Sequence, residues 1–98
     1  MNIQNAFTHM VNDIVDYLWL RGFKPGNTEI EENNLMIPWY DGLTRHSIRV
    51  FYFHWNNQFV LINYTNHVKI EQYVIDDLDN IYDQIILIIN RIKPPRMY

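Results

Sequence analysis

Four histidines, one serine and eleven carboxylates are the side chains that could do proton transfer, nucleophilic attack or metal binding in this chain. The chain has no cysteine, which removes thiolate metal sites, disulfides and a cysteine nucleophile at once. His46 and His54 share one side of an extended segment. They lie eight residues apart, roughly 26 Å at about 3.3 Å per residue, so they do not chelate one ion. His9 falls in a helical stretch without an HExxH pattern, and His67 follows a strand. Ser47 is adjacent to His46, and neighbours on a strand point to opposite sides, so the two make no dyad. Asp76, Asp77, Asp79 and Asp83 gather at a helix start, where capping and solvation account for them better than acid–base chemistry. The three glycines form no phosphate-binding loop. The reading is of a protein that is not an enzyme and that has no cofactor and no metal.

The rest of the composition agrees with that reading. Charged residues are 19% of the chain, against about 25% for an average domain, and aromatic residues are 15%. So few charges with so many aromatics implies a surface that something covers. A net charge of −3 disfavours general affinity for nucleic acid, which needs several cations aligned with phosphates. No segment approaches the ~20 apolar residues of a membrane span, and the N-terminus lacks the basic start of a signal peptide. The expected location is cytoplasmic. Asparagine and isoleucine are abundant, as AT-rich coding DNA of bacteria and their phages would produce. Ninety-eight residues suffice for one modest core, so a single α+β domain is expected over 1–93, with a short tail over 94–98.

The elements that must position these side chains follow from periodicity. Ile3, Phe7, Met10, Ile14 and Leu18 recur at helical spacing, and Gly22 stands where a left-handed residue ends a helix. The pairs Asn33-Asn34 and Asn56-Asn57 suit two-residue hairpin turns. They predict that Ile30 faces Ile37, that Phe53 faces Val60 and that His54 faces Phe59. Residues 68 to 74 read as a fifth strand, with an early start to the last helix as the rival. Asp76 reads as the N-cap of that helix, whose stripe is Leu78, Ile81, Ile85, Ile88 and Ile92. Arg91, Lys93 and Arg96 make a small basic end. The fold is therefore α+β: an N-terminal helix, a four- or five-stranded antiparallel meander, and a C-terminal helix, both helices on one sheet face.

The central strand, I-R-V-F-Y-F-H-W over 48 to 55, is apolar on both sides. One side collects Phe51, Phe53, Trp55, Val60 and Ile62, with Ile30, Ile37 and Trp39 joining if the registers match, and is assigned to the helices. The other side mixes Tyr52, His54, Phe59 and Leu61 with His46, Asn63 and Thr65. Its aromatics and low charge resemble an interface centre, so a second chain is expected to cover it; one helix on each side is the competing arrangement. Tyr52, His54, Phe59, Leu61, His46 and Asn63 are the candidate contact residues. The function expected is a small non-catalytic protein-binding module, possible partners being a second copy (a homodimer) or another protein, and a phage or mobile-element inhibitor of a host system suits the size. The alternative is a nucleic-acid or nucleotide binder using the same face, with Arg49 or the tail on phosphate. A third reading is an enzyme using His54 or His46.

Overall fold

The computed structural model describes residues 2–92. The basic end expected from Lys93 and Arg96, and the tail over 94–98, lie outside them. Helix α1 (Ile3–Leu20) buries Phe7, Met10, Val11, Ile14 and Leu18, the stripe its spacing predicts. The Asn2 side chain accepts the Asn5 N–H at 3.3 Å and caps its start. Its end is a Schellman turn. Gly22 takes φ +85°, the Gly22 N–H donates to the Trp19 carbonyl at 3.0 Å, and the Phe23 N–H donates to the Leu18 carbonyl at 2.9 Å. This turn drives the Phe23 ring into the core.

A six-stranded antiparallel sheet follows. Two-residue strands β1 (Lys24–Pro25) and β2 (Glu29–Ile30) both pair with the outer edge of β3 (Asn34–Asp41). The meander continues through β4 (Thr44–Phe53), β5 (Gln58–Thr65) and β6 (Val68–Ile75). Residues 68–75 are thus strand, not the start of the last helix. Helix α2 (Leu78–Arg91) follows the sheet and buries Ile81, Ile85, Ile88 and Ile89. Its N-cap is Asp77, not Asp76: the Asp77 carboxylate accepts the Asn80 N–H at 2.8 Å. Asp76 instead accepts from Gln58 Nε2 at 3.3 Å, tying the end of β6 to β5.

The turns sit close to, but not at, the asparagine pairs. The Glu31 N–H donates to the Asn34 carbonyl at 2.8 Å, so the chain reverses over Glu32-Asn33, and Ile30 pairs with Leu35 instead of Ile37. Between β4 and β5, residues 54–57 form a four-residue turn with Asn57 at φ +57°. Phe53 therefore pairs with Gln58, and Tyr52 with Phe59. Each pairing differs from the expected one by two residues, which preserves the side of every residue. Asn66 and His67, at φ +48° and +67°, make the tight turn into β6, and both positive angles suit a type I′ hairpin. A bulge beside Asn63 and Tyr64 then leaves Ile70 without a cross-strand partner. It rotates the rest of β6 so that Glu71, Tyr73 and Ile75 share a side with Asn63, Leu61 and Phe59.

The helices cover the side that the sequence reading left to a partner. Asp41 pairs with Thr44 across Gly42-Leu43, and Gly42 takes φ +61°, the angle a two-residue turn with glycine first requires. That register sets Leu35, Ile37 and Trp39 beside Val50, Ile48 and His46. With Phe59 and Leu61 they form one core with the α1 and α2 stripes, and Phe7 meets Phe59 edge-on at 6.3 Å. The assignment of Ile30, Ile37 and Trp39 to the Phe51 side is corrected by this register. Once three strands are counted, the side carrying His46 and Asn63 is the richer in aliphatic residues, and its burial dominates the fold.

Adjacent residues on β5 test this assignment. Leu61→Ala is expected to lower unfolding stability by about 2–5 kcal/mol, as for a closed core site, and Ile62→Ala by less than about 1 kcal/mol. Urea unfolding of the two variants measures the difference; equal losses would contradict a one-sided core.

Candidate interaction surface

The sheet has one side under the helices and one side bare. Cross-strand pairing places Phe51, Val60 and Val74 in one row of the bare side. The row before it is Met36, Arg49, Ile62 and Gln72, and the row beyond it is Phe53 with Gln58. Phe51, Phe53, Val60 and Ile62 are half-buried against one another, while Val74 is 59% exposed at the β6 margin. Trp55, 71% exposed in the turn after β4, leans on Phe53 with ring centroids 4.8 Å apart. The other end of this side is polar. Ser47 pairs with Tyr64, Tyr64 with Lys69, and Arg45 with Tyr40.

The six residues taken from the sequence as a contact surface lie elsewhere. Phe59 and Leu61 are core residues under the helices, and His46 and Asn63 are each only 8% exposed. These four form no free surface; the β3 register that gave their side to the helices is the reason. His46 Nδ1 and Asn63 Nδ2 have structural partners instead, while Asn63 Oδ1 is buried without one. His46 stacks on Trp39 at 5.7 Å, and its Nδ1 lies 3.5 Å from Thr65 Oγ1. Asn63 Nδ2 donates to Glu71 Oε1 at 3.1 Å. Glu71 also accepts from the Tyr73 hydroxyl and the Arg91 guanidinium, so a three-donor carboxylate fastens the end of α2 to β6.

Tyr52 and His54 remain reachable. With Phe59 they line a cleft of about 580 Å³ that also touches Asp76, Asp77 and Leu78. The Tyr52 hydroxyl donates to Asn57 Oδ1, and its ring is 4.9 Å from that of Phe59. His54 shares this cleft with the Tyr52 hydroxyl and the Asp76 and Asp77 carboxylates, and no serine, threonine or lysine lines it. Among the described residues, no three His, Cys, Asp or Glu side chains converge as metal ligands, and no helix is long and apolar enough to cross a membrane.

The residues that sequence reasoning missed are Arg45, Ser47 and Tyr64. Arg45, Ser47 and Arg49 alternate with His46, Ile48 and Val50 along β4. That two-residue period puts three polar residues on the Phe51 side and is the signal that this side faces water, although its aromatics led to its assignment to the helices. Comparisons with protein families, with curated proteins and with solved structures find no match for this chain.

Two titrations follow from these environments. Hydrogen bonds from Arg91 and Tyr73 hold the Glu71 carboxyl well below its ordinary 4.5, at about 2. A carboxyl lowered on folding adds stability above pH ~4.5 that is lost as pH falls toward 2. Burial lowers the His46 imidazole below 6.5, with Asp41 opposing. Its contribution is likewise present above pH ~6.5 and is lost on acidification below that value, because the unfolded chain takes up the proton first. Thermal midpoints measured from pH 7 to pH 3 should fall in both windows. Glu71→Gln should flatten the lower window and His46→Gln the upper; unchanged slopes would contradict these roles.

Proposed function

We propose that this protein is a small non-catalytic binding module that lays the bare side of its sheet on another protein. One observation carries the reading: Phe51, Phe53, Val60, Ile62 and Val74 form a contiguous apolar field on the side without a helix. Isolated exposed apolar residues need no explanation, but a contiguous field on a strand lattice marks an interaction site. Its scale suits that role. The whole bare side, polar end included, spans four strands about 4.8 Å apart and eight residues long at about 3.3 Å each, a projection of roughly 500 Å². Side-chain relief brings this toward the ~800 Å² that each partner of a standard interface buries.

An inhibitor made by a phage or mobile element fits this size, the absence of cysteine and the asparagine- and isoleucine-rich composition. Such a protein works by occupying a surface and needs no chemistry of its own. A nucleic-acid binder is the second reading. It is favoured by Phe51, Phe53 and Trp55 lying together with the Arg49 guanidinium 6.0 Å from the Phe51 ring centre. The net charge of −3 weighs against it.

Val60→Asp and Ile62→Asp, made singly, test the proposal. Both positions are outside the core cluster, so each variant should keep its circular dichroism spectrum. Affinity capture from the cells that carry the gene should recover a protein partner with the wild type and lose it with either variant. Recovery of the same partner by all three proteins would place the binding surface elsewhere.

A further inference from the structure

The bare side carries more cations than acids in a chain whose balance is acidic. Cross-strand pairing sets Lys24, Arg45, Arg49 and Lys69 on it, with Glu29 as the one acid among its paired strand residues, in a chain whose net charge is −3. The two arginines open into a groove of about 420 Å³ that is also lined by Glu29, Met36, Ser47, Tyr64 and His67. Their guanidinium groups are poorly neutralised. Arg45 donates to Ser47 Oγ at 3.4 Å and to Met36 Sδ at 3.9 Å, both neutral and distant acceptors. Among the described residues no carboxylate lies within ion-pair distance of it. Arg49 reaches Glu29 at 3.8 Å, beyond hydrogen-bond length. Guanidinium donors with such weak acceptors can still take a carboxylate in a bidentate pair.

We infer that the partner presents an acidic, apolar protein segment, its carboxylates seated between Arg45 and Arg49 and its apolar side chains on Phe51, Val60 and Ile62. This inference rests on the binding-module reading and names the chemistry of the partner. The rows support it, because Arg49 shares its row with Ile62 and stands one row from Phe51 and Val60. Acidic and apolar groups therefore fit within a single extended segment. A carboxylate-bearing protein suits the face better than a polynucleotide does. Four cations attract a few negative groups at contact distance, whereas general polynucleotide affinity needs several cations aligned with phosphates, which the net charge of −3 disfavours.

A random-peptide library displayed on phage, panned against the full chain, tests this without assuming a partner. The recovered peptides should carry excess Asp and Glu interleaved with apolar residues. The double variant Arg45→Glu/Arg49→Glu should bind them about 30-fold more weakly or worse, as for loss of a desolvated charge pair. Circular dichroism and thermal unfolding establish that the double variant is folded. Recovered peptides without an acidic excess, or binding unchanged in the folded double variant, would overturn the inference. So would oligothymidylate binding tighter than the peptides, which would point to nucleic acid, or a dimer abolished by the same charge reversal, which would point to a second copy. The two proposals also fail separately. If Val60→Asp removes the captured partner and charge reversal does not, the binding module stands and the acidic partner falls; if neither variant matters, both fall.

Discussion

The register of β3 on β4 decides what each side of the sheet becomes. It is fixed by two residues, Gly42 and Leu43, with Gly42 at φ +61° where other residues are strained. With that turn, Leu35, Ile37 and Trp39 complete an aliphatic field started by Val50, Ile48 and Leu61, and the helices seal it. A one-residue slip would send those three to the Phe51 side and lay Met36 and Pro38 on the helix side. The core, the bare side and the arginine groove all depend on this one turn.

The two sides are built to different chemical rules. On the helix side the Asn63, Glu71, Tyr73 and Arg91 side chains form a network that pins α2, while Trp39 Nε1 and Asn63 Oδ1 are buried without a partner. On the bare side Arg45 and Arg49 stand beside an apolar field with little to neutralise them. A sheet with one packed face ordinarily alternates apolar with polar residues and shows water the polar set. β4 does so over Arg45, Ser47 and Arg49 and then departs from it at Phe51 and Phe53. This change within one strand is what makes the bare side suited to a partner carrying both acids and apolar groups.

Local pattern carried most of the architecture. Helical spacing located both helices, Gly22 marked the end of the first, and alternation with turn residues located the long strands. Even where the turns moved, to Glu32-Asn33 and to residues 54–57, the displacement was two residues, so Tyr52 stayed with Phe59 and Leu61. The choice of buried side was not a local property. It required the sum over β3, β4 and β5, and counting the aromatics of one hairpin gave Phe51, Phe53 and Trp55 too much weight. Four of the six candidate contact residues, Phe59, Leu61, His46 and Asn63, went inside for that reason. The bulge at Ile70 was likewise invisible in the alternation of β6, because it reverses the pattern only partway along the strand.

The sheet has one sealed and one open side, and adjacent positions on β5 report on both. The chain has no cysteine, so a single introduced thiol is unambiguous. Leu61→Cys and Ile62→Cys should be labelled with a disulfide reagent under native conditions and the rates compared with those of the unfolded variants. Ile62→Cys is expected to react about 100-fold faster than Leu61→Cys, whose thiol waits for the core to open. Equal protection of both thiols, or faster labelling at position 61, would contradict a one-sided core.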